Sequence, residues 1–65
     1  MYFVTKRTVE IENTVHEEFG VSCGENNIIF FTSDIKEAEM LAELLNENEV
    51  EPNHVADIIE DLFYT

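Results

Sequence analysis

The sequence predicts an α+β fold in which three antiparallel strands are followed by a two-helix hairpin packed on one face of the sheet. Three observations carry this. Residues 2–31 are rich in β-branched and aromatic side chains with period-two alternation. Residues 35–46 and 52–63 carry apolar side chains at spacings of three and four. A Gly-Asn cluster at residues 24–27 breaks the strand block, and Asn46 and Asn48 stand where the first helix should stop.

The first strand is expected over residues 2–12, with Phe3, Thr5, Arg7, Val9 and Ile11 on one side. Its last part, Val9-Glu10-Ile11-Glu12, alternates apolar with acidic, the pattern of a strand with one face on a core and one in water. Asn13-Thr14 is the expected turn, without the Gly that marks a tight hairpin. A second strand over residues 18–23 places Phe19, Val21 and Cys23 on a shared face, and Gly20 within it signals a bulge or a close approach. Residues 24–27 read as a turn into Ile28-Ile29-Phe30-Phe31, whose apolar character on both faces suggests a central or helix-covered strand.

Asp34 followed by Glu37 has capping-box spacing, with Ser33 an alternative cap. Ile35, Ala38, Leu41, Ala42 and Leu45 then form one stripe flanked by Met40 and Leu44, and Asn46 and Asn48 supply the stop. Pro52 suits the first turn of the second helix, with Glu51 as cap and Val50 and Val55 spaced as a hydrophobic staple. Val55, Ile58, Ile59, Leu62 and Phe63 follow as the second stripe.

One domain spanning residues 1–65 is expected, with a core small enough that a partner chain would help. Fifteen acids stand against three Lys and Arg, a formal charge of -12. That field opposes direct binding to nucleic acid or anionic membrane. A single cysteine allows no disulfide within the chain, the N-terminus lacks the pattern of a signal peptide, and no apolar stretch approaches membrane-spanning length. A soluble protein of the cytoplasm is the expectation.

Residues 34–65 hold ten acids against Lys36 alone, a net of -9, while Lys6 and Arg7 sit together on the first strand. Glu37, Glu39, Glu43, Glu47, Asp57, Glu60 and Asp61 are therefore the candidate acidic interaction face. Such a run commonly forms a solvated face. The sharper alternative is a surface for a basic protein, with carboxylates standing in for nucleic-acid phosphates. Tyr2, Phe30 and Tyr64 fall outside the apolar stripes and form the candidate aromatic interface.

No motif argues for an enzyme, a cofactor or a metal. His16, Cys23 and His54 lack ligand spacing, and the acidic segment 46–51 has no Gly at the turn position of a calcium loop. No phosphate loop, dinucleotide turn or nucleophile elbow is present.

The stretch from Phe19-Gly20-Val21 through Thr32-Ser33-Asp34, the helix ending Leu44-Leu45-Asn46, and above all Pro52-Asn53-His54-Val55-Ala56-Asp57-Ile58-Ile59-Glu60-Asp61-Leu62 resemble a family of small uncharacterised acidic proteins from Firmicutes and their prophages. The resemblance covers about residues 19–62 and implies an origin and a domain type, with no catalytic residues. Two functions follow as expectations. The first is a non-enzymatic binding protein, phage-borne and so working in the host cytoplasm, whose acidic helical face inhibits a nucleic-acid-handling host protein as a DNA mimic. The second is a small structural or regulatory homodimer, joined by aromatics and a sheet edge, in which acidity serves solubility.

Overall fold

The computed structural model describes residues 1–24 and 27–64. It bears out the α+β architecture. Three strands, β1 (Phe3–Ile11), β2 (Thr14–Ser22) and β3 (Ile28–Thr32), form an antiparallel sheet of order β1-β2-β3. Helix α1 (Ile35–Glu47), a 3₁₀ turn (Pro52–His54) and helix α2 (Val55–Phe63) follow. No helix among the described residues is long and apolar enough to cross a membrane.

The first strand differs from its sequence reading in which face meets the core. Tyr2 is buried and Val4 packs on the core cluster, whereas Phe3 and Ile11 are more than half exposed. Apolar residues occupy both parities at the start of this strand, so alternation alone could not choose. The helices chose the Tyr2 and Val4 side. There Tyr2, Val4, Val21, Cys23, Ile29 and Phe31 meet Leu41, Ala42, Leu45, Val55 and Ile59. The face bearing Phe3, Arg7, Val9, Ile11, Ile28 and Phe30 lies away from the helices.

β2 is longer than its pattern suggested, because Glu12 and Asn13, both at positive φ (51° and 67°), make the turn that Asn13-Thr14 was expected to make. Ile11 therefore pairs with Thr14 across a two-residue loop, and His16 lies within the strand. The two positive φ angles match a primed hairpin turn, whose twist suits antiparallel strands even without Gly. β3 pairs only with Phe19–Ser22, so it is a helix-covered edge and β2 is the centre. The distal half of the β1–β2 hairpin projects past β3. From Lys6 to Glu17 no residue is buried and only Val9 is half-buried.

Gly20 sits at the β-bulge where the β2–β3 register shifts. A Cβ there would lie 1.8 Å from the Ile29 carbonyl oxygen, so only glycine permits this strand crossing. The turn expected over residues 24–27 falls partly outside the described residues; Gly24 has φ +80°, and the Cys23 N–H donates to the Asn27 carbonyl at 2.9 Å.

α1 packs across all three strands. Ala38, Leu41, Ala42 and Leu45 are buried as the stripe predicts, while Ile35, at the first turn, stays 45% exposed. Asp34 caps the helix by accepting from the Lys36 N–H at 2.9 Å. The capping box is relayed: the Thr32 hydroxyl accepts from the Asp34 N–H and donates to the Glu37 carboxylate. At the other end Asn48 is the C-cap, Glu49 adopts φ 50°, the Glu49 N–H reaches the Asn46 carbonyl and the Val50 N–H reaches the Leu45 carbonyl. That is a Schellman ending, with glutamate in the place glycine usually takes.

The second helix begins at Val55, the first residue of its apolar stripe, and not at residue 52 as expected. Pro52–His54 form a 3₁₀ turn, and Glu51 occupies the cap position without a side-chain hydrogen bond. Val50 and Val55 both join the core cluster, as a staple requires. Phe63 reaches Phe31 with ring centroids 4.9 Å apart.

The first residues clamp the whole assembly. The Tyr2 N–H donates to Asn46 Oδ1 at 2.6 Å, Asn46 Nδ2 donates to the Tyr2 carbonyl at 3.0 Å, and the Tyr2 hydroxyl donates to the Val50 carbonyl at 2.7 Å. One carboxamide thus satisfies both backbone groups of Tyr2, as a neighbouring strand would. Burial, with smaller contributions from Cys23 and Glu51, pushes the Tyr2 hydroxyl above the ordinary tyrosine range.

Candidate interaction surfaces

Two surfaces of opposite character are built on the two sides of this sheet. On the helical side, Glu39, Glu43 and Glu47 are exposed and stand one turn apart along α1. Four-residue spacing brings successive carboxylates to one ridge, about 5–6 Å between Cβ atoms, where they repel by a few tenths of a kcal/mol per pair. Lys36 is the only cation on α1, and among the described residues neither it nor the three glutamates form an ion pair. Asp57, Glu60 and Asp61 are exposed on α2. Glu37 does not belong with the ridge. Its side chain is half-buried and held by Thr32 in the α1 cap.

The other two cations are neutralised on the hairpin. Lys6 Nζ lies 3.1 Å from Glu17 and Arg7 Nε 2.6 Å from Glu18, all four side chains being 41–56% exposed. Exposed pairs of this kind contribute about 0–1 kcal/mol each. Among the described residues they set the two adjacent cations of the hairpin beside carboxylates and so offset this basic pair at close range.

The three candidate aromatics separate. Tyr2 is spent in the core and is not an exposed anchor, for the parity reason given above; Phe3, 59% exposed, is the outward aromatic of β1. Phe30 and Tyr64 do come together, lining one shallow groove between β3 and α2 with Ile29, Phe31, Ala56, Ile59 and Glu60. The Tyr64 hydroxyl donates to the Phe31 carbonyl at 2.8 Å across it. Phe30 also lies beneath the Arg7 guanidinium, 4.3 Å from ring centroid to Cζ. Sequence reasoning missed Arg7. The available signal was Gly20, the cross-strand partner of Phe30, whose missing side chain leaves a gap in the outer face that a ring can cover.

Cys23 is half-buried against the core, His54 is exposed in the 3₁₀ turn, and His16 is exposed on the hairpin. No group of three or more His, Cys, Asp or Glu among the described residues could hold a metal ion.

A family model matches residues 1–64. The chain belongs to DUF6514, a family of unknown function. The DUF6514 match takes in the β1–β2 hairpin as well as the segment that carried the sequence resemblance. No curated protein and no solved structure matches this DUF6514 chain.

Proposed function

We propose that this protein is a non-enzymatic binding module that presents the Glu39–Glu43–Glu47 ridge of α1 to a basic surface of a partner protein. The observation that supports it is the ridge itself: three exposed carboxylates in one row, on a helix whose single lysine pairs with none of them. Interspersed lysines would have left the α1 core stripe unchanged and removed the mutual repulsion, so solubility alone gives no reason for the row. A row of negative charge steers association with a basic groove and competes there with nucleic-acid phosphates. With the phage or prophage origin that the sequence resemblance implies, the fitting target is a nucleic-acid-handling protein in the host cytoplasm, inhibited by occupation of its basic groove.

The test is affinity capture with the tagged chain beside a Glu39→Lys, Glu43→Lys, Glu47→Lys variant, followed by calorimetric titration of the captured protein. A basic partner is expected whose affinity falls steeply with added salt and is abolished by the triple reversal. Binding that ignores salt, or that survives the reversal, contradicts the proposal.

A further inference from the structure

We infer that the outer edge of β1 pairs antiparallel with β1 of a second copy, in the register that sets Lys6 opposite the partner's Glu10 and Thr8 opposite the partner's Thr8. This surface is distinct from the acidic ridge and its test is independent of that reading.

The edge is open and its hydrogen-bonding parity is fixed. In the two-residue hairpin, Ile11 and Thr14 are the closing pair that exchanges both backbone hydrogen bonds, so Ile11, Val9, Arg7, Thr5 and Phe3 turn their N–H and C=O groups toward β2. Val4, Lys6, Thr8 and Glu10 turn theirs away from the sheet. Tyr2 obeys the same parity, since its N–H and C=O both go to Asn46 rather than to β2. Asn46 therefore closes the edge at Tyr2, and among the described residues the outward groups from Val4 to Glu10 are left as a row of donors and acceptors with no partner strand. An open row of this kind is a template for another strand.

Charge then selects both the partner and the register. Only registers that oppose even-numbered residues to even-numbered residues join two such edges. Opposing Lys6 to itself, Arg7 to itself or Glu10 to itself sets like charges face to face, which destabilises a ladder. Centring on Val9 offers Lys6 only Glu12, which lies in the turn, and centring on Thr5 runs into the Tyr2 edge that Asn46 fills; centring the pair on Thr8 sets Lys6 against the partner's Glu10, twice by symmetry, with Arg7 against Val9 and Thr5 against Ile11. Glu10 is exposed and makes no ion pair within its own chain among the described residues, so it is available for this one. The hairpin also holds two of the three Lys and Arg, whereas the helical half is strongly acidic; a second copy thus meets at the least negative part of the molecule. In this arrangement the six-stranded sheet is continuous, both helical layers lie on one side of it at opposite ends, and both acidic ridges remain exposed.

Light scattering across a concentration series of the full chain, with cysteine scanning in a Cys23→Ser background, tests the inference. A concentration-dependent dimer is expected. Thr8→Cys should form an intermolecular disulfide readily, while Lys6→Cys should not, because the two copies of residue 6 lie four residues apart along the ladder, about 13 Å. Lys6→Glu and Glu10→Lys should each weaken the dimer about tenfold or more, and mixing these two variants should restore it as a heterodimer. Thr8→Pro should abolish the dimer and keep the circular dichroism of the fold, since proline at this position removes only an outward N–H. A monomer up to ~1 mM, or one that pairs only with an added foreign β-strand peptide, would overturn the second-copy assignment. So would a dimer that persists in Thr8→Pro, or one in which Lys6→Cys cross-links as well as Thr8→Cys.

Discussion

The two ends of the β1–β2 hairpin are made from the same two strands and live in different environments. At the proximal end Tyr2 and Val21 are buried and Val4 packs beside them. At the distal end, from Lys6 to Glu17, nothing is buried, and exposed ion pairs replace apolar contacts. The contrast teaches that a strand's length is set by its turn and pairing partner, while its energy comes from whatever covers it. Core stability therefore resides in the proximal half, and the distal half is held out by backbone pairing as an arm with a free edge.

Substitutions at the two ends should break that comparison unequally. The largest effect is expected from Gly20→Ala, which drives a methyl group into the Ile29 carbonyl at the β2–β3 crossing. We expect a loss of more than about 3 kcal/mol, enough to unfold so small a domain, read as loss of a cooperative thermal transition. Asn46→Ala removes both hydrogen bonds to the Tyr2 backbone and should cost about 2 kcal/mol by urea denaturation.

Tyr2→Phe should cost about 1 kcal/mol by leaving the Val50 carbonyl unpaired. It also carries a pH signature. The folded-state hydroxyl is raised above its unfolded value, so its contribution is fully present below the ordinary tyrosine range and is lost as the pH climbs through the raised one. Stability of the natural chain should fall on the alkaline side of about pH 10, and Tyr2→Phe should flatten that part of the profile. On the arm, Arg7→Ala removes one exposed ion pair and the contact over Phe30, and should cost no more than about 1 kcal/mol. A loss there as large as at Asn46 would erase the distinction between core and arm.

What could be read from the residues follows the same division. The stripe of α1 and the apolar side of α2 are regular, so their spacing located them, and Gly20 announced the bulge because no other residue type fits a close backbone approach. The Asp34 cap was equally local. The face of β1 was not available, since Tyr2-Phe3-Val4 is apolar at both parities and only the helices decide which side is covered. The Glu12-Asn13 turn was displaced by one residue because neither position carries the Gly that usually marks positive φ. Tyr2 and Asn46, at opposite ends of a sequence separation of 44, are joined by hydrogen bonds that no local pattern encodes. For the candidate site, the acidic row on α1 was evident from four-residue spacing, whereas the removal of Glu37 to the cap and of Tyr2 to the core required the packed structure.

Residue-resolved amide hydrogen exchange measured at two protein concentrations tests the central division most directly. The slowest exchange is expected around Val21, Leu41 and Leu45 at both concentrations. In dilute solution an alternation along β1 is expected, with Thr5, Arg7 and Val9 slowed and Lys6, Thr8 and Glu10 fast, the last three becoming protected at high concentration as the second copy pairs. Uniform protection along β1 in dilute solution, or an arm that exchanges as slowly as the core, would contradict it.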